Sequence, residues 1–130
     1  MFKQITINTI IYAHGRTDET IFGSLKKVLT KKWFNNKENY IIKISTETEN
    51  TLWQIFSIYR IPTTNDYLQT EFNSDDEYQR FIYMLLKRSS YNFNSYVNEN
   101  DNIVTLSTCY NNSDKLVVHA KLIKKEKRKM

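Results

Sequence analysis

Residues 5–13, Ile-Thr-Ile-Asn-Thr-Ile-Ile-Tyr-Ala, are rich in β-branched side chains and predict a strand that ends at His14-Gly15. The period then changes. Ile21, Phe22, Leu25, Val28 and Leu29 recur at helical spacing, with Lys26, Lys27, Lys31 and Lys32 turned outward, so a helix is predicted from a cap at Thr17 or Asp18 to about Lys32. Tyr40 to Thr46 and Leu52 to Tyr59 predict two strands of a hairpin joined by Glu47-Thr48-Glu49-Asn50, with a loop over Pro62-Thr63-Thr64-Asn65-Asp66. Ser74-Asp75-Asp76-Glu77 is a capping box, and the helix behind it carries Tyr78, Phe81, Ile82 and Leu85 on one face as far as about Arg88. Ser89 to Asp101 is a polar connection with aromatic anchors at Tyr91, Phe93 and Tyr96. Ile103 to Ser107 is a strand that delivers Cys109 at its end, and Leu116 to Ile123 is the last strand. Five strands and two helices, with strands dominant, predict a β-dominated α+β domain.

Composition sharpens this picture. A chain of 130 residues, 40% apolar and holding 9 Tyr, 7 Phe and 2 Trp, makes one domain with a substantial aromatic core. The longest apolar run, Phe81 to Leu86, is far short of the roughly 20 residues of a membrane span. Met1-Phe2-Lys3 leads straight into the first strand, so no signal peptide is expected.

The net charge of +5 is local. Of 19 basic and 14 acidic side chains, six and one fall within residues 121–129, which leaves thirteen of each in residues 1–120. A neutral body argues against a nucleic-acid groove. Residues 1–123 are expected to form the domain and residues 124–130 a disordered basic tail, whose next reading is a weak contact with anionic lipid or cell-wall polymer.

One cysteine excludes an internal disulfide, and one Cys with two His cannot close a zinc site, so no metal is expected. From the residues alone, Cys109 is either a small buried hydrophobe, the commoner case, or a nucleophile.

Three segments change that balance: Asn8-Thr-Ile-Ile-Tyr-Ala-His14-Gly15 followed by Phe22-Gly23-Ser24-Leu25-Lys26-Lys27; Tyr67-Leu-Gln-Thr-Glu-Phe72 followed by the acidic capping box; and Asp101-Asn-Ile-Val-Thr-Leu-Ser-Thr-Cys109 followed by Lys115-Leu-Val-Val-His-Ala-Lys-Leu122. In this order and spacing they resemble the class B sortases, cell-surface cysteine transpeptidases of Gram-positive bacteria. The resemblance covers nearly the whole chain up to the basic tail. It implies that Cys109 is the nucleophile and His14 its proton-handling partner, since the thiolate is the attacking species and an imidazolium stabilises it. His119, between Val118 and Ala120, reads instead as a packed strand histidine.

Family members carry an arginine just before the Leu-Val-Val run, where this chain has Lys115. Lysine keeps the charge but not the planar two-pronged donor. Of the five arginines, Arg60 is the one considered as a substitute. The resemblance also implies a peptide groove, with Thr63, Tyr67, Leu68 and Ser107 matching its lining. A second departure is at the N-terminus: the family has a membrane anchor, a helical region and three more barrel strands before the strand matching residues 5–13. The expected fold is thus a sortase-like β-barrel lacking its first strands, with two helices. Its exposed strand edges are expected to favour self-association.

The implied function is cleavage of a sorting-signal peptide through a Cys109 acyl-enzyme, with transfer to a peptidoglycan amine and no cofactor. The alternative is a truncated, catalytically impaired domain that at most binds peptide. The family is extracellular and membrane-anchored. A chain without signal or anchor is expected in the cytoplasm, or stays unassigned unless an N-terminal part is restored.

Overall fold

In the computed structural model, which describes residues 8–13, 31–109 and 113–127, the β-branched runs form one five-stranded sheet. The strands are β1 (Asn8–Ala13), β2 (Ile41–Ser45), β3 (Glu49–Pro62), β4 (Ile103–Cys109) and β5 (Asp114–Lys127), in the spatial order β1-β4-β5-β3-β2. β1 runs parallel to β4 and every other pair is antiparallel. The sheet is open, with β1 and β2 at its two ends among the described residues.

β4 reads Ile-Val-Thr-Leu-Ser-Thr without apolar–polar alternation because both faces of the sheet are covered, and its first six residues are all buried. On one face lies the helix α2 (Asp75–Arg88), whose Tyr78, Phe81, Ile82 and Leu85 pack with Phe56, Tyr59, Ile103 and Val117. On the other, Ile42, Ile58, Leu106, Leu116, Val118 and Ala120 pack with Phe34, Tyr40, Tyr91 and Phe93. Phe34 stacks on Tyr91 with centroids 4.5 Å apart, and Phe93 meets Tyr40 edge-on at 4.8 Å.

α2 starts and stops as its sequence predicts. Ser74 Oγ accepts from the Glu77 N–H at 3.1 Å, while the Glu77 carboxylate reaches past the cap to the Asn73 N–H at 2.7 Å. Asp75, Asp76 and Glu77 occupy the positive end of the helix dipole and Lys87 and Arg88 the negative end. Past the helix, the chain covers the edge of β3 that β2 leaves open: the Ser90 N–H donates to the Ile58 carbonyl at 2.7 Å, and Ser89 Oγ accepts from the Ile58 N–H at 3.2 Å.

Several expectations are corrected. The hairpin turn is tighter than Glu47–Asn50, since Ser45 pairs with Asn50 and Thr46 Oγ1 accepts from the Glu49 N–H. Tyr96 is no anchor; it is 75% exposed, and Tyr78 Oη, donating to the Asp101 carbonyl, holds that connection instead. The basic tail does not begin at 124. β5 continues to Lys127 because the first residues of β3 supply partners, Leu52 opposite Lys124 and Glu49 opposite Lys127. Backbone pairing there proceeds whatever the side chains, and Lys125 meets Glu49 at 3.1 Å. Of the two expected helices, α2 is observed; of the first, only the stretch α1 (Lys31–Phe34) falls among the described residues, and residues 14–30 of the predicted strand end and first helix lie outside them.

Candidate active site

β4 ends at Cys109 and β5 begins one short connection later, so the antiparallel register sets Cys109 directly opposite Lys115. Opposed residues share a face. Lys115 Nζ donates to Cys109 Sγ at 3.2 Å, and the thiol is exposed and free of any disulfide. Lys115 is in turn opposite Ile61, so a row Cys109–Lys115–Ile61 crosses three strands on the α2 side of the sheet. The sheet thus delivers an accessible thiol with a cation in hydrogen-bond reach of it.

Arg60 belongs to the neighbouring row, Thr108–Leu116–Arg60, and therefore to the opposite face. Its Nε bonds Asp114 Oδ2 at 2.6 Å. It cannot stand in for an arginine beside Cys109.

The four groove positions separate. Thr63 is exposed at this end of the sheet, with both its N–H and its hydroxyl on the Ser113 carbonyl at 3.1 Å. Leu68 is half-buried against the α2-side core. Tyr67 and Ser107 are only 1% and 3% exposed, and their hydroxyls bond each other at 2.8 Å. Their side chains belong to the core beneath Cys109, two residues along β4 on the same face. Tyr12, part of the strand-end segment that carries the resemblance but not singled out as a site residue, pairs with Ser107 on β1 and stands 68% exposed on that face. Strand alternation combined with the β1–β4 register would have found it.

His14 lies outside the described residues. The parallel β1–β4 ladder reaches Ala13 opposite Thr108, the residues immediately before His14 and Cys109 in the chain.

His119 is fully buried. Thr105 gives its one hydroxyl proton to Asn8 Oδ1 at 2.7 Å, so the ring must donate from Nδ1 to Thr105 Oγ1 at 2.8 Å and accept at Nε2 from Tyr59 Oη at 2.8 Å. Asn8 Nδ2 donates to the Gln69 carbonyl at 2.9 Å, which fixes the amide in the orientation this chain requires. Burial, with the charge of Arg88 adding to it, holds the imidazole down to about 3, so it is neutral and its network assigns the tautomer. Burial likewise pushes the Tyr59 hydroxyl above its usual value, which keeps it a donor. His119 is structural, as its place in an apolar strand suggests.

Known proteins share this fold. The Sortase domain family matches residues 1–123. Sortase B of Staphylococcus aureus is 34% identical over 126 residues, covering 94% of this chain and 51% of that protein. Among solved structures, the Staphylococcus aureus sortase B–substrate complex superposes with a TM-score of 0.81 at 33% identity, over 95% of this chain and 58% of the other. A sortase B complexed with triglycine superposes with a TM-score of 0.81 at 32% identity, over 92% and 57%. The chain belongs to the sortase family. Within it the likeness is to the B class, and the chain spans about half the length of the relatives it matches. No helix among the described residues is long and apolar enough to cross a membrane.

Proposed function

We propose that this chain carries the nucleophilic centre of a class B sortase-type cysteine transpeptidase. The Cys109 thiolate adds to the carbonyl of a sorting-signal peptide bond, and the tetrahedral oxyanion collapses with loss of the amine half to leave a thioester. A cell-wall amine then attacks that thioester and releases the thiol. Lys115 holds the thiolate and the developing oxyanion, and His14 protonates the leaving amine. One observation carries this reading: the Lys115 Nζ–Cys109 Sγ contact at 3.2 Å on an exposed sheet end. The β1–β4 ladder supports His14, because the residues that precede His14 and Cys109 in the chain, Ala13 and Thr108, are paired. Thr63 and Leu68 contact an extended peptide, while Tyr67 and Ser107 support them from below. The neighbours solved with a substrate and with triglycine favour a peptide donor and an amine acceptor.

The open sheet favours a second reading, a catalytically impaired domain that binds peptide without cleaving it. One experiment separates the two. Peptide cleavage is measured before and after alkylation of Cys109. Cleavage abolished by alkylation supports the transpeptidase, undiminished cleavage overturns Cys109 as nucleophile, and binding without cleavage establishes the second reading.

A further inference from the structure

The 3₁₀ turn Asp66–Leu68, which carries Tyr67 and Leu68, is held at three places. Two are internal: the Tyr67–Ser107 hydroxyl pair at 2.8 Å, and Asn8 Nδ2 on the Gln69 carbonyl at 2.9 Å. The third is at the surface. Arg88, the last residue of α2, meets Asp66 through two parallel bonds, Nη1 to Oδ1 at 2.8 Å and Nη2 to Oδ2 at 2.5 Å. Arg88 is itself placed by the ring of Tyr59, 5.9 Å from the guanidinium, and Tyr59 is placed by His119.

We propose that Arg88 and Asp66 form a latch that positions the Thr63–Leu68 segment against the Cys109 end of the sheet, and so decides whether an extended peptide can reach the thiol. This rests on the reading of Cys109 as the nucleophile of a peptide groove. Three features argue for the pair. The planar fork fixes direction as well as distance, which a point charge does not. The pair is the partly exposed anchor of the three, with side chains 25% and 45% accessible, so it opens without unfolding the core. Thr63 on Ser113 fixes one end of the segment and the buried Tyr67 the other, so the pair acts on the exposed stretch between them.

The test uses the full chain with Arg88→Ala, Arg88→Lys and Asp66→Asn. Deuterium uptake is followed over residues 63–69. Cys109 is also alkylated with iodoacetamide and, separately, with a tetrapeptide chloromethyl ketone bearing an apolar residue beside the electrophile. Arg88→Ala and Asp66→Asn are expected to raise uptake in 63–69 about two- to fivefold, with β4 and β5 unchanged, the range set by a partly exposed ion pair. The peptide reagent should slow by a similar factor while iodoacetamide does not. Arg88→Lys should fall between, because it restores charge without the fork. Unchanged uptake, or an equal fall for both reagents, overturns the latch. If Arg88→Ala raises uptake everywhere it has unfolded, and Asp66→Asn decides. If the wild-type chain shows no preference for the peptide reagent, the groove reading fails, and uptake in 63–69 still decides whether the pair holds the turn.

Discussion

The two faces of the sheet are built on different principles. The α2 face buries Asn8, Ser57, Thr105, Ser107 and His119 together with the hydroxyls of Tyr59 and Tyr67. Nearly every one has a directed partner, down to Ser57 Oγ on the Leu85 carbonyl at 2.6 Å. The opposite face is aliphatic and aromatic, and its buried hydroxyl, Thr108 Oγ1, has no hydrogen-bond partner among the described residues. Apolar burial stabilises without regard to direction, whereas hydrogen bonds fix positions. Cys109 and Lys115 sit on the face whose positions are fixed.

The contrast can be broken from either side. Leu116→Ala, on the apolar face, should cost about 2–5 kcal/mol in urea unfolding and leave Lys115 and Cys109 opposed, because register is a backbone property. On the polar face the lever is acid. The folded His119 value of about 3 lies below its unfolded value of about 6.5, so its contribution is full above pH 6.5 and is lost as pH falls toward 3. By pH 5 the chain should be about 2 kcal/mol less stable from this cause, and the slope between pH 6.5 and 5 should shrink in His119→Leu. Lys115→Arg should raise peptide cleavage about tenfold, roughly 1.4 kcal/mol, by restoring a two-pronged donor; no change in kcat/KM would mean that position 115 does not face the reacting carbonyl. Smallest of all is the unpaired hydroxyl. Thr108→Val should be neutral or stabilising by up to about 1 kcal/mol in thermal melts, whereas Thr105→Val, which cuts both Asn8 and His119, should cost about 1–3 kcal/mol.

Much of this is written in local pattern. α2 is legible because its cap, apolar face and terminal charges all lie within fifteen residues of each other, and β4 and β5 because their apolar runs are long. What escapes local pattern is set by pairing. Arg60 is excluded beside Cys109 by one step of register, which alternation within β3 alone does not reveal. Tyr67 reads as a loop tyrosine until Ser107, forty residues away, takes its hydroxyl. Lys124 to Lys127 look like a tail because a strand edge of alternating salt pairs has no apolar face to announce it. The Lys115–Cys109 contact follows from the β4–β5 hairpin, while a role for His14 draws on the family resemblance and on the end of the β1–β4 ladder.

That parallel ladder also sets an order of assembly. β2 meets β3 and β4 meets β5 across short turns, but Asn8 and Thr105, which bond each other, are 97 residues apart. Closing a loop of that size costs about 2–3 kcal/mol more chain entropy than closing a hairpin. β1 is therefore expected to dock last, onto a four-stranded sheet already formed, and pulse-labelled exchange during refolding should protect β4 and β5 amides before those of β1. The Cys109–Lys115 pair would then form with the β4–β5 hairpin, and the strand that leads to His14 would join it last.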